Sequence, residues 1–313
     1  MTNVLLLGGF GFIGKNLINC FAKDDDYSII VLDKVFLHPN DVCLKNVHKI
    51  YLGDFSDKRL LERIFEENKI DLVFHSICAT IPVLSNDNLY EMTANVIPTI
   101  FLLDTMLIHG VKKIVFISSG GCIYDHSSVC PKGYSEEDVL LPKNAYGLSK
   151  LMVEQWLYFY YKKHNLQTLI VRPSNLYGPL HYSQFQGVVN IAIEKAMNKE
   201  VFFVFGDGDG TKDYILIDDF CNIVYYILQQ GIIGYEVLNI GSNELISVNS
   251  ILRTIKLQYF HSFEWKYFEA IETDVSSYRL NTNKLLQLIG PYSFIGFNEG
   301  LAKTLRWYQN KRI

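Results

Sequence analysis

Residues 8–14 read GGFGFIG, directly after the apolar run VLLL at 4–7 and directly before KNLINCF at 15–21. Glycine tolerates backbone angles that other residues resist, and it lets a ligand approach the main chain closely. A glycine-rich turn between a strand and a helix places backbone N–H groups where they can bind phosphate. This stretch therefore predicts a phosphate-binding turn, and the rest of the chain tests that prediction.

The composition is that of a soluble globular protein. The chain has 313 residues, of which 49% are hydrophobic and 20% charged, and its net charge is -4. This length allows one large domain or two modest ones with a real core. The charge gives no reason to expect nucleic acid or an anionic membrane as a partner.

A cytoplasmic location is expected from three observations, on the N-terminus, the apolar runs and the cysteines. The first ten residues, MTNVLLLGGF, lack the basic region and small-residue cleavage site of a signal peptide. No apolar run reaches the roughly 18 residues of a membrane span. The six cysteines are scattered without a C-x-x-C pair, which favours reduced thiols and no metal site, with zinc binding by cysteines and histidines as the alternative.

The first half of the chain alternates apolar runs with amphipathic segments. Strands are predicted at 4–7, 28–33, 48–52, 71–75, 113–118 and 167–172. Helices are predicted between them, including 57–68, 88–109 and 144–164. The runs are continuously apolar, as is typical of strands buried on both faces. This rhythm predicts right-handed βαβ units in a doubly wound parallel sheet, an α/β fold of Rossmann type.

The rhythm changes after about residue 173, where NLYGP at 175–179 and FGDGDG at 205–210 are rich in turns. We predict a cofactor-binding domain over 1–173, which includes the helix at 144–164. A smaller, mainly substrate-binding domain is predicted over 174–313, with some of its chain returning to the first domain.

The spacing of Gly8, Gly11 and Gly14, with a strand before and a helix after, is the context that a dinucleotide-binding motif requires. Asp33 ends the next predicted strand, about twenty residues on, where a carboxylate accepts hydrogen bonds from the adenosine ribose. A carboxylate there repels a 2′-phosphate, so NAD is favoured over NADP, an argument that the neighbouring Lys34 weakens slightly. The alternative is a glycine-rich turn followed by an Asp N-cap.

Two further patterns support a dinucleotide enzyme. Asp54, in YLGDFSD, follows another predicted strand and is placed to bond the adenine amine. In NAYGLSKLMVEQWL at 144–157, Tyr146 and Lys150 lie four residues apart, on one face of a helix. An ammonium beside a phenol stabilises the phenolate, so we expect a lowered pKa for Tyr146. Such a phenolate can take a proton from a sugar hydroxyl while hydride leaves for nicotinamide.

On these residues the chain resembles the extended short-chain dehydrogenase/reductase family, in its NAD-dependent nucleotide-sugar epimerase/dehydratase group. The resemblance runs nearly end to end. Beyond the motifs above, it includes TANVIPTIFLLD at 93–104, KIVFISSGGCIYD at 113–125, RPSNLYGP at 172–179, FGDGDGTKDYILIDDF at 205–220 and LNTNKLLQLIG at 280–290.

The resemblance implies roles for individual residues. Ser119 and Tyr146 hold the reacting hydroxyl as catalytic residues, and Lys150 tunes Tyr146. The residues implied at the cofactor are Gly8, Gly11, Phe12, Ile13, Gly14, Asp33, Lys34, Asp54, Phe55, Ile77, Asn95, Ser118, Tyr146, Lys150 and Pro173. The residues implied at the substrate are Ser119, Gly120, Cys122, Asn175, Lys212 and Arg279.

The chain departs from the family pattern at three positions. Gly120 stands where the family often has its hydroxyl residue, so that role passes to Ser119, to a water or to the thiol of Cys122. Ile271 stands where an Arg usually grips the pyrophosphate. Lys212 replaces another Arg, and an ammonium lacks the bidentate fork of a guanidinium. Phosphate recognition is therefore expected to be rearranged, with Arg279 as a further contributor.

The resemblance also bears on the reaction. Dehydratases and decarboxylases of the family carry carboxylates after the catalytic hydroxyl residue, where this chain has GGCI at 120–123. What remains is chemistry at C4 of a nucleotide sugar, with a 4-epimerase as the first hypothesis. The alternative is a C4 dehydrogenase or ketosugar reductase in surface-polysaccharide sugar biosynthesis, and a third is a catalytically inactive NAD-binding protein. The nucleotide and the sugar stay open.

A homodimer is expected from the helical segments 88–109 and 144–164. Both are apolar over more than a single stripe, which indicates a second buried face. In the family that the chain resembles, the equivalent helices form a four-helix bundle between subunits.

Overall fold

The computed structural model describes residues 1–35, 41–80, 87–127, 130–270, 275 and 277–311. The strands are β1 Thr2–Leu7, β2 Tyr27–Asp33, β3 Val47–Leu52, β4 Leu72–His75, β5 Lys113–Ile117, β6 Gln167–Pro173, β7 Asn175–Tyr177, β8 Phe202–Phe205, β9 Thr211–Leu216, β10 Tyr235–Ile240, β11 Leu245–Ser247 and β12 Trp265–Phe268. The α-helices are α1 Phe12–Phe21, α2 Lys58–Glu67, α3 Asn88–Glu91, α4 Ile97–Ile108, α5 Ala145–His164, α6 Val188–Met197, α7 Ile217–Gln230, α8 Val248–Gln258, α9 Asn283–Ile289 and α10 Phe297–Asn310.

The chain divides into two compact units. The first consists of Met1–Ile123, Pro142–Arg172 and Cys221–Leu238. The second consists of Tyr124–Leu141, Pro173–Phe220 and Asn239–Ile313. Each unit has its own cluster of buried apolar side chains.

A seven-stranded sheet forms the centre of the first unit, in the order β10-β6-β5-β4-β1-β2-β3. Strands β1 to β6 pair in parallel, for example Val4 with Ile29 and Leu7 with His75. The predicted α/β, Rossmann-type fold is confirmed. The strand order reverses where β1 lies between β2 and β4, and in such sheets ligands bind at the carboxyl ends of the strands beside that reversal.

Local sequence explains why these elements form. Residues Val4 to Leu7 are completely buried, which matches strands covered on both faces. The Asp57 carboxylate caps α2 by accepting from the N–H groups of Arg59 and Leu60. Helix α5 ends at His164 and is capped by Asn165, whose φ of 56° lies in the left-handed region that Asn tolerates.

The segment predicted as one helix at 88–109 is interrupted. A π-helical turn, Met92–Val96, separates α3 from α4, and the N–H of Ile97 bonds to the carbonyl of Met92 five residues earlier. Pro98 provides the physical reason. Proline has no N–H to donate, and its ring displaces the carbonyl four residues before it, so the helix widens there.

The helical stretch Asn88–Ile108 is long and apolar enough to cross a membrane by length and composition alone. Its inner face, however, carries Leu102, Leu103 and Met106, which are completely buried in the core of the first unit. The core helix of a soluble protein passes the same test, so this finding carries no argument for a membrane.

The second unit contains two small sheets. Strands β11, β9 and β7 form one, in that order, and β12 pairs in parallel with β8 to form the other. Its apolar cluster includes side chains of α6, α8 and α10.

A buried ion pair ties α5 to β6. The Arg172 guanidinium donates to both carboxylate oxygens of Glu154, at 3.1 and 2.6 Å, and both side chains are at most 3% exposed. Each charge in this pair is desolvated, so each depends on the other.

We predict that Arg172→Met lowers the free energy of unfolding by about 3–5 kcal/mol, because it leaves the Glu154 carboxylate buried without its partner. Denaturant unfolding followed by circular dichroism measures the change. The double variant Glu154→Leu/Arg172→Met is the control, and it is expected to recover most of the loss. A single variant as stable as the wild type contradicts the prediction.

Candidate active site

The glycine-rich turn joins β1 to α1. Gly8 has φ of +80°, in the left-handed region, and its N–H donates to the carbonyl of Leu32 at 2.8 Å. A Cβ on Gly14 would lie 2.2 Å from the carbonyl oxygen of Gly8, so only glycine lets α1 pack this closely. A Cβ on Gly11 would meet nothing nearer than that oxygen, at 3.4 Å. The protein itself leaves space in front of Gly11, which is the space a pyrophosphate needs.

The Asp33 carboxylate lies beside this turn. One of its oxygens accepts from the N–H of Phe10 at 2.8 Å, because β2 pairs directly with β1. Lys34, which weakened the argument for NAD, forms an ion pair with Asp54 at 2.8 Å. Burial by itself would raise the pKa of Asp54, but hydrogen bonds from Lys34 and Ser56 hold that pKa below its usual value. The ammonium of Lys34 is therefore paired with the carboxylate of Asp54.

The apolar residues expected at the cofactor differ in position. Phe12 and Ile13 are half-buried at the start of α1. The Cγ1 of Ile77 lies 3.1 Å from where a Cβ of Gly8 would be, so Ile77 faces the turn. Phe55 is buried, with its ring edge-on to His75 at 5.0 Å between centroids, so its side chain belongs to the core.

The first unit brings Ser119, Tyr146 and Lys150 together. Lys150 is buried, and its Nζ donates to the carbonyl of Ile117 at the end of β5, at 2.8 Å. The same Nζ lies 5.8 Å from the ring centroid of Tyr146. The Ser119 hydroxyl, two residues beyond β5, is hydrogen-bonded to Tyr146. The arrangement is that of an acid–base phenol with a hydroxyl and an ammonium as neighbours.

The expected lowering of the pKa of Tyr146 is wrong for this structure. Burial of the phenol raises the pKa of Tyr146 well above its usual value. Cys78, Cys122 and Glu91, which are negative when ionised, raise it further, and the hydrogen bond with Ser119 opposes them. Helical spacing identifies the nearby ammonium, but it contains no information about desolvation, which here has the larger effect.

Two polar residues were expected at the nicotinamide end. Ser118 is buried, and its Oγ has no hydrogen-bond partner among the described residues. Asn95 is also buried, but its Oδ1 accepts from the N–H of Ala79 and its Nδ2 donates to Glu91, both at 2.8 Å. The Asn95 side chain is thus engaged within the protein, whereas Ser118 offers a hydroxyl to a ligand. Pro173 is the last residue of β6.

His75 was not singled out from the sequence, although it ends an apolar strand at the same sheet edge. Burial lowers the pKa of His75 to about 3, and the positive charge of Lys150 contributes. Its Nε2 lies 3.0 Å from the Thr99 hydroxyl. Together with Asn95 and Lys150, it lines a small cavity.

The residues expected at the substrate fall in both units. Gly120 and Cys122 are in the first unit, and Gly120 is buried. A Cβ on Gly147 would lie 2.2 Å from the carbonyl oxygen of Cys122, so this segment packs directly on the first turn of α5.

The other three are in the second unit, around β9. The Asn175 amide donates to the carbonyl of Asp213 at 3.0 Å, and Lys212 is the residue before Asp213 in β9. The Arg279 guanidinium donates to the carbonyl of Pro131. Ile271, where the sequence lacks the usual Arg, lies outside the described residues.

The model of the NAD dependent epimerase/dehydratase family matches residues 4–241. The dTDP-D-glucose 4,6-dehydratase of Dictyostelium discoideum is 29% identical over 366 residues, spanning 100% of this chain and 82% of the relative. The dTDP-4-dehydro-6-deoxyglucose reductase of Escherichia coli is 29% identical over 311 residues, spanning 97% of each. The crystal structure of UDP-glucose 4-epimerase with UDP-glucose from Thermotoga maritima has a TM-score of 0.91 at 27% identity, over 100% of both chains.

The chain belongs to the NAD dependent epimerase/dehydratase family. It is an enzyme whose cofactor is NAD, and the resemblance found in the sequence is confirmed. The described residues fit that cofactor, since the turn leaves space at Gly11 and Ser118 presents an unpartnered hydroxyl.

We predict that two glycine variants affect different properties, one NAD binding and the other stability. Gly11→Ala is expected to change the free energy of unfolding by less than about 1 kcal/mol, yet to weaken NAD binding at least about tenfold, because the new methyl group occupies ligand space. Gly14→Ala is expected to destabilise the NAD-free protein by about 1–3 kcal/mol through overpacking. Calorimetric titration with NAD and thermal unfolding without it measure the two effects. Unchanged NAD affinity in Gly11→Ala contradicts the prediction.

Proposed function

We propose that the protein is a nucleotide-sugar 4-epimerase, which oxidises C4 of a nucleotide-activated sugar and returns the hydride to the other face. The observation that carries proton and hydride transfer at C4 is the cluster of Tyr146, Ser119 and Lys150. The likeness to a protein named a 4-epimerase favours epimerisation among the reactions that this cluster serves. The names of the three similar proteins support a nucleotide-sugar substrate, because each name contains a nucleotide-linked sugar. The T. maritima protein, which is similar along its whole length, is named a 4-epimerase.

The protein's own residues account for the proton transfers. Tyr146 takes the proton from the C4 hydroxyl and returns it when the keto-sugar is reduced. The Ser119 hydroxyl, bonded to Tyr146, orients the same sugar oxygen. The ammonium of Lys150 stabilises the phenolate form, which burial disfavours. Bound NAD would supply the hydride acceptor for oxidation at C4 and, once reduced, the hydride donor for the return step.

We assign the remaining residues to binding. The turn at Gly8, Gly11 and Gly14 holds the pyrophosphate of NAD, and Asp33 accepts from its adenosine ribose. Asn175, Lys212 and Arg279 face the phosphates of the sugar nucleotide. Because an ammonium replaces a guanidinium at 212, this contact is a point charge rather than a bidentate pair.

A C4 dehydrogenase or ketosugar reductase is the second candidate. The E. coli relative is named a reductase of a 4-dehydro sugar, which supports it. The same three catalytic residues serve either reaction, so the fold does not separate them. The D. discoideum relative is named a 4,6-dehydratase, but elimination needs an acid and a base, and residues 120–123 of this chain contain no carboxylate.

A labelling experiment separates the candidates. Nucleotide sugars carrying deuterium at C4, with UDP, GDP, dTDP or CDP, are incubated with the protein and NAD. An epimerase keeps the label within the sugar while the C4 configuration changes, and NADH appears only transiently. A net dehydrogenase leaves the label on NADH. Mass spectrometry of the sugar and the cofactor reads both outcomes.

The matched control for this experiment is Tyr146→Phe, which removes one hydroxyl and little packing. We expect it to abolish label transfer and to leave NAD binding nearly unchanged. Normal turnover in Tyr146→Phe contradicts the proposed mechanism, whatever the net reaction. Label transfer with none of the sugars contradicts the proposed substrate class.

We further propose a cytoplasmic homodimer that supplies sugars for surface polysaccharides. Helices α4 and α5 keep apolar side chains on their outer faces, including Ile97, Ile108, Tyr158 and Phe159, which are all exposed. These exposed apolar side chains are accounted for if each helix has a second face that is buried against another copy of the chain.

Sedimentation velocity tests the dimer. Phe159→Lys is expected to shift the protein to a monomer, because it places a charge in the apolar contact. Ile233→Lys, which changes an exposed apolar side chain outside both helices, is the control and is expected to stay dimeric. A wild-type monomer at all concentrations contradicts the proposal.

A further inference from the structure

A small cavity lies in the first unit, beside a histidine that the proposed chemistry does not use. Its lining includes His75 from β4, Thr99 from α4, Phe116 from β5 and Lys150 from α5. All four side chains are at most 5% exposed. The Phe116 ring contacts both polar groups, since the Lys150 Nζ lies 4.9 Å from its centroid and the His75 ring packs edge-on at 5.3 Å. The imidazole and the ammonium therefore lie beside the same space.

The hydrogen bonds of Thr99 decide which ring nitrogen of His75 carries the proton. The Thr99 Oγ1 lies 2.6 Å from the carbonyl oxygen of Asn95 and 3.0 Å from the Nε2 of His75. Two oxygens at 2.6 Å need a proton between them, and a carbonyl has none, so the single hydroxyl proton of Thr99 goes to Asn95. Thr99 then accepts from His75, which places the ring proton on Nε2.

The other ring nitrogen, Nδ1, is therefore an acceptor without a proton. The ring is neutral, because burial and the neighbouring Lys150 ammonium both disfavour a second positive charge. The Nδ1 of His75 is buried and has no hydrogen-bond partner among the described residues. A buried acceptor is costly to leave unpaired, so His75 calls for a donor in the cavity.

Lys150 has donors to give. An ammonium has three N–H groups, and one of them donates to the carbonyl of Ile117 at 2.8 Å. The cavity offers about 10 Å³ of space, close to what a single water needs. A water can accept from Lys150 and donate to His75 at the same time. An anion has no proton for Nδ1, and the ammonium repels a metal cation, so neither satisfies both groups.

We propose that this cavity binds one ordered water, which accepts from the Lys150 ammonium and donates to Nδ1 of His75, and that His75 is thereby a positioning residue for Lys150. Ile117 and the water then hold two of the three N–H groups. Because the groups of an ammonium are tetrahedral, the direction of the third is fixed, and it remains available to Tyr146 and to the cofactor. The role in turnover rests on the proposed function, whereas the water site does not.

A crystal structure of the NAD-bound protein tests the water site directly. We expect one ordered water within about 2.7–3.2 Å of both the His75 Nδ1 and the Lys150 Nζ. A dry cavity, NAD itself in that space, or a direct hydrogen bond between the two nitrogens overturns the inference. This measurement needs neither a variant that folds nor a sugar that is converted.

NMR of protein with ¹⁵N-labelled histidine tests the tautomer. The chain has eight histidines, so the signals of His75 are identified by their absence in a His75 variant. We expect a bare Nδ1 and a protonated Nε2, and a protonated Nδ1 overturns the inference. Thr99→Val removes the acceptor of Nε2–H and is expected to shift the Nε2 signal. Thr105→Val, which removes a buried hydroxyl with the same bond to the carbonyl four residues earlier in α4, is the control and is expected to leave it unchanged.

Two variants test the positioning role, because each imitates one of the ring nitrogens. His75→Asn places an amide oxygen near the position of Nδ1 and gives up the contact with Thr99. His75→Gln places its amide near the position of Nε2 and gives up the acceptor at Nδ1. If His75 served packing alone, Gln would be the milder change, because it is closer to His in volume. Positioning of Lys150 through Nδ1 predicts the reverse.

In crystal structures we expect His75→Asn to keep the water and the Lys150 Nζ in place, and His75→Gln to lose the water and displace Nζ. With NAD and a sugar that is converted, kcat is expected to fall about five- to tenfold in His75→Gln, the factor for one hydrogen bond, and less than about twofold in His75→Asn. KM for the sugar is expected to stay unchanged in both.

A His75→Gln protein that keeps the Lys150 Nζ in place and turns over like the wild type overturns the positioning role. So does a His75→Asn protein that is impaired as much as His75→Gln. If no nucleotide sugar is converted, only the proposed function is contradicted, because the structures of the two variants still decide whether His75 positions Lys150. If neither variant folds, His75 serves stability and the positioning role is overturned.

Discussion

The hydrogen bond from the Lys150 ammonium to the carbonyl of Ile117 is the contact on which the candidate site depends. It fixes the buried end of a long side chain at the carboxyl end of β5, and a bond from a charged donor stabilises by about 1.5–3 kcal/mol. Tyr146 is one helical turn away on the same face, and Ser119 is two residues beyond Ile117. This bond thereby fixes the end of β5 and the first turns of α5 relative to each other.

Glycines of the first unit serve different purposes. At Gly14 and Gly147 a Cβ would overlap a backbone oxygen at 2.2 Å, so these glycines serve contacts within the protein. At Gly11 a Cβ would meet only one atom at an ordinary distance, so that glycine leaves room for a ligand. The glycine-rich motif therefore contains a glycine that serves packing, Gly14, and a glycine that leaves room for a ligand, Gly11.

Much of the first unit could be predicted, because parallel strands buried on both faces leave a strong signal. All six predicted strands are present, with ends shifted by at most two residues. The helix that carries Tyr146 and Lys150 was also predicted, because the spacing that indicates it lies within one short stretch of sequence. The π-helical turn was not predicted, although Pro98 is its cause, because the apolar pattern on both sides of it is continuous. His75 was missed because its partner Thr99 is 24 positions away.

The sequence by itself determined the α/β fold, the dinucleotide motif and which side chains share the catalytic helix, since each depends on residues within about one element of each other. Only the tertiary structure decided the electrostatics. Burial reversed the expected direction for the pKa of Tyr146, and the ion pair with Asp54 redirected the charge of Lys34. Both effects depend on how much water is excluded and on which charges from distant segments face each other. The local spacing of residues contains no information about either.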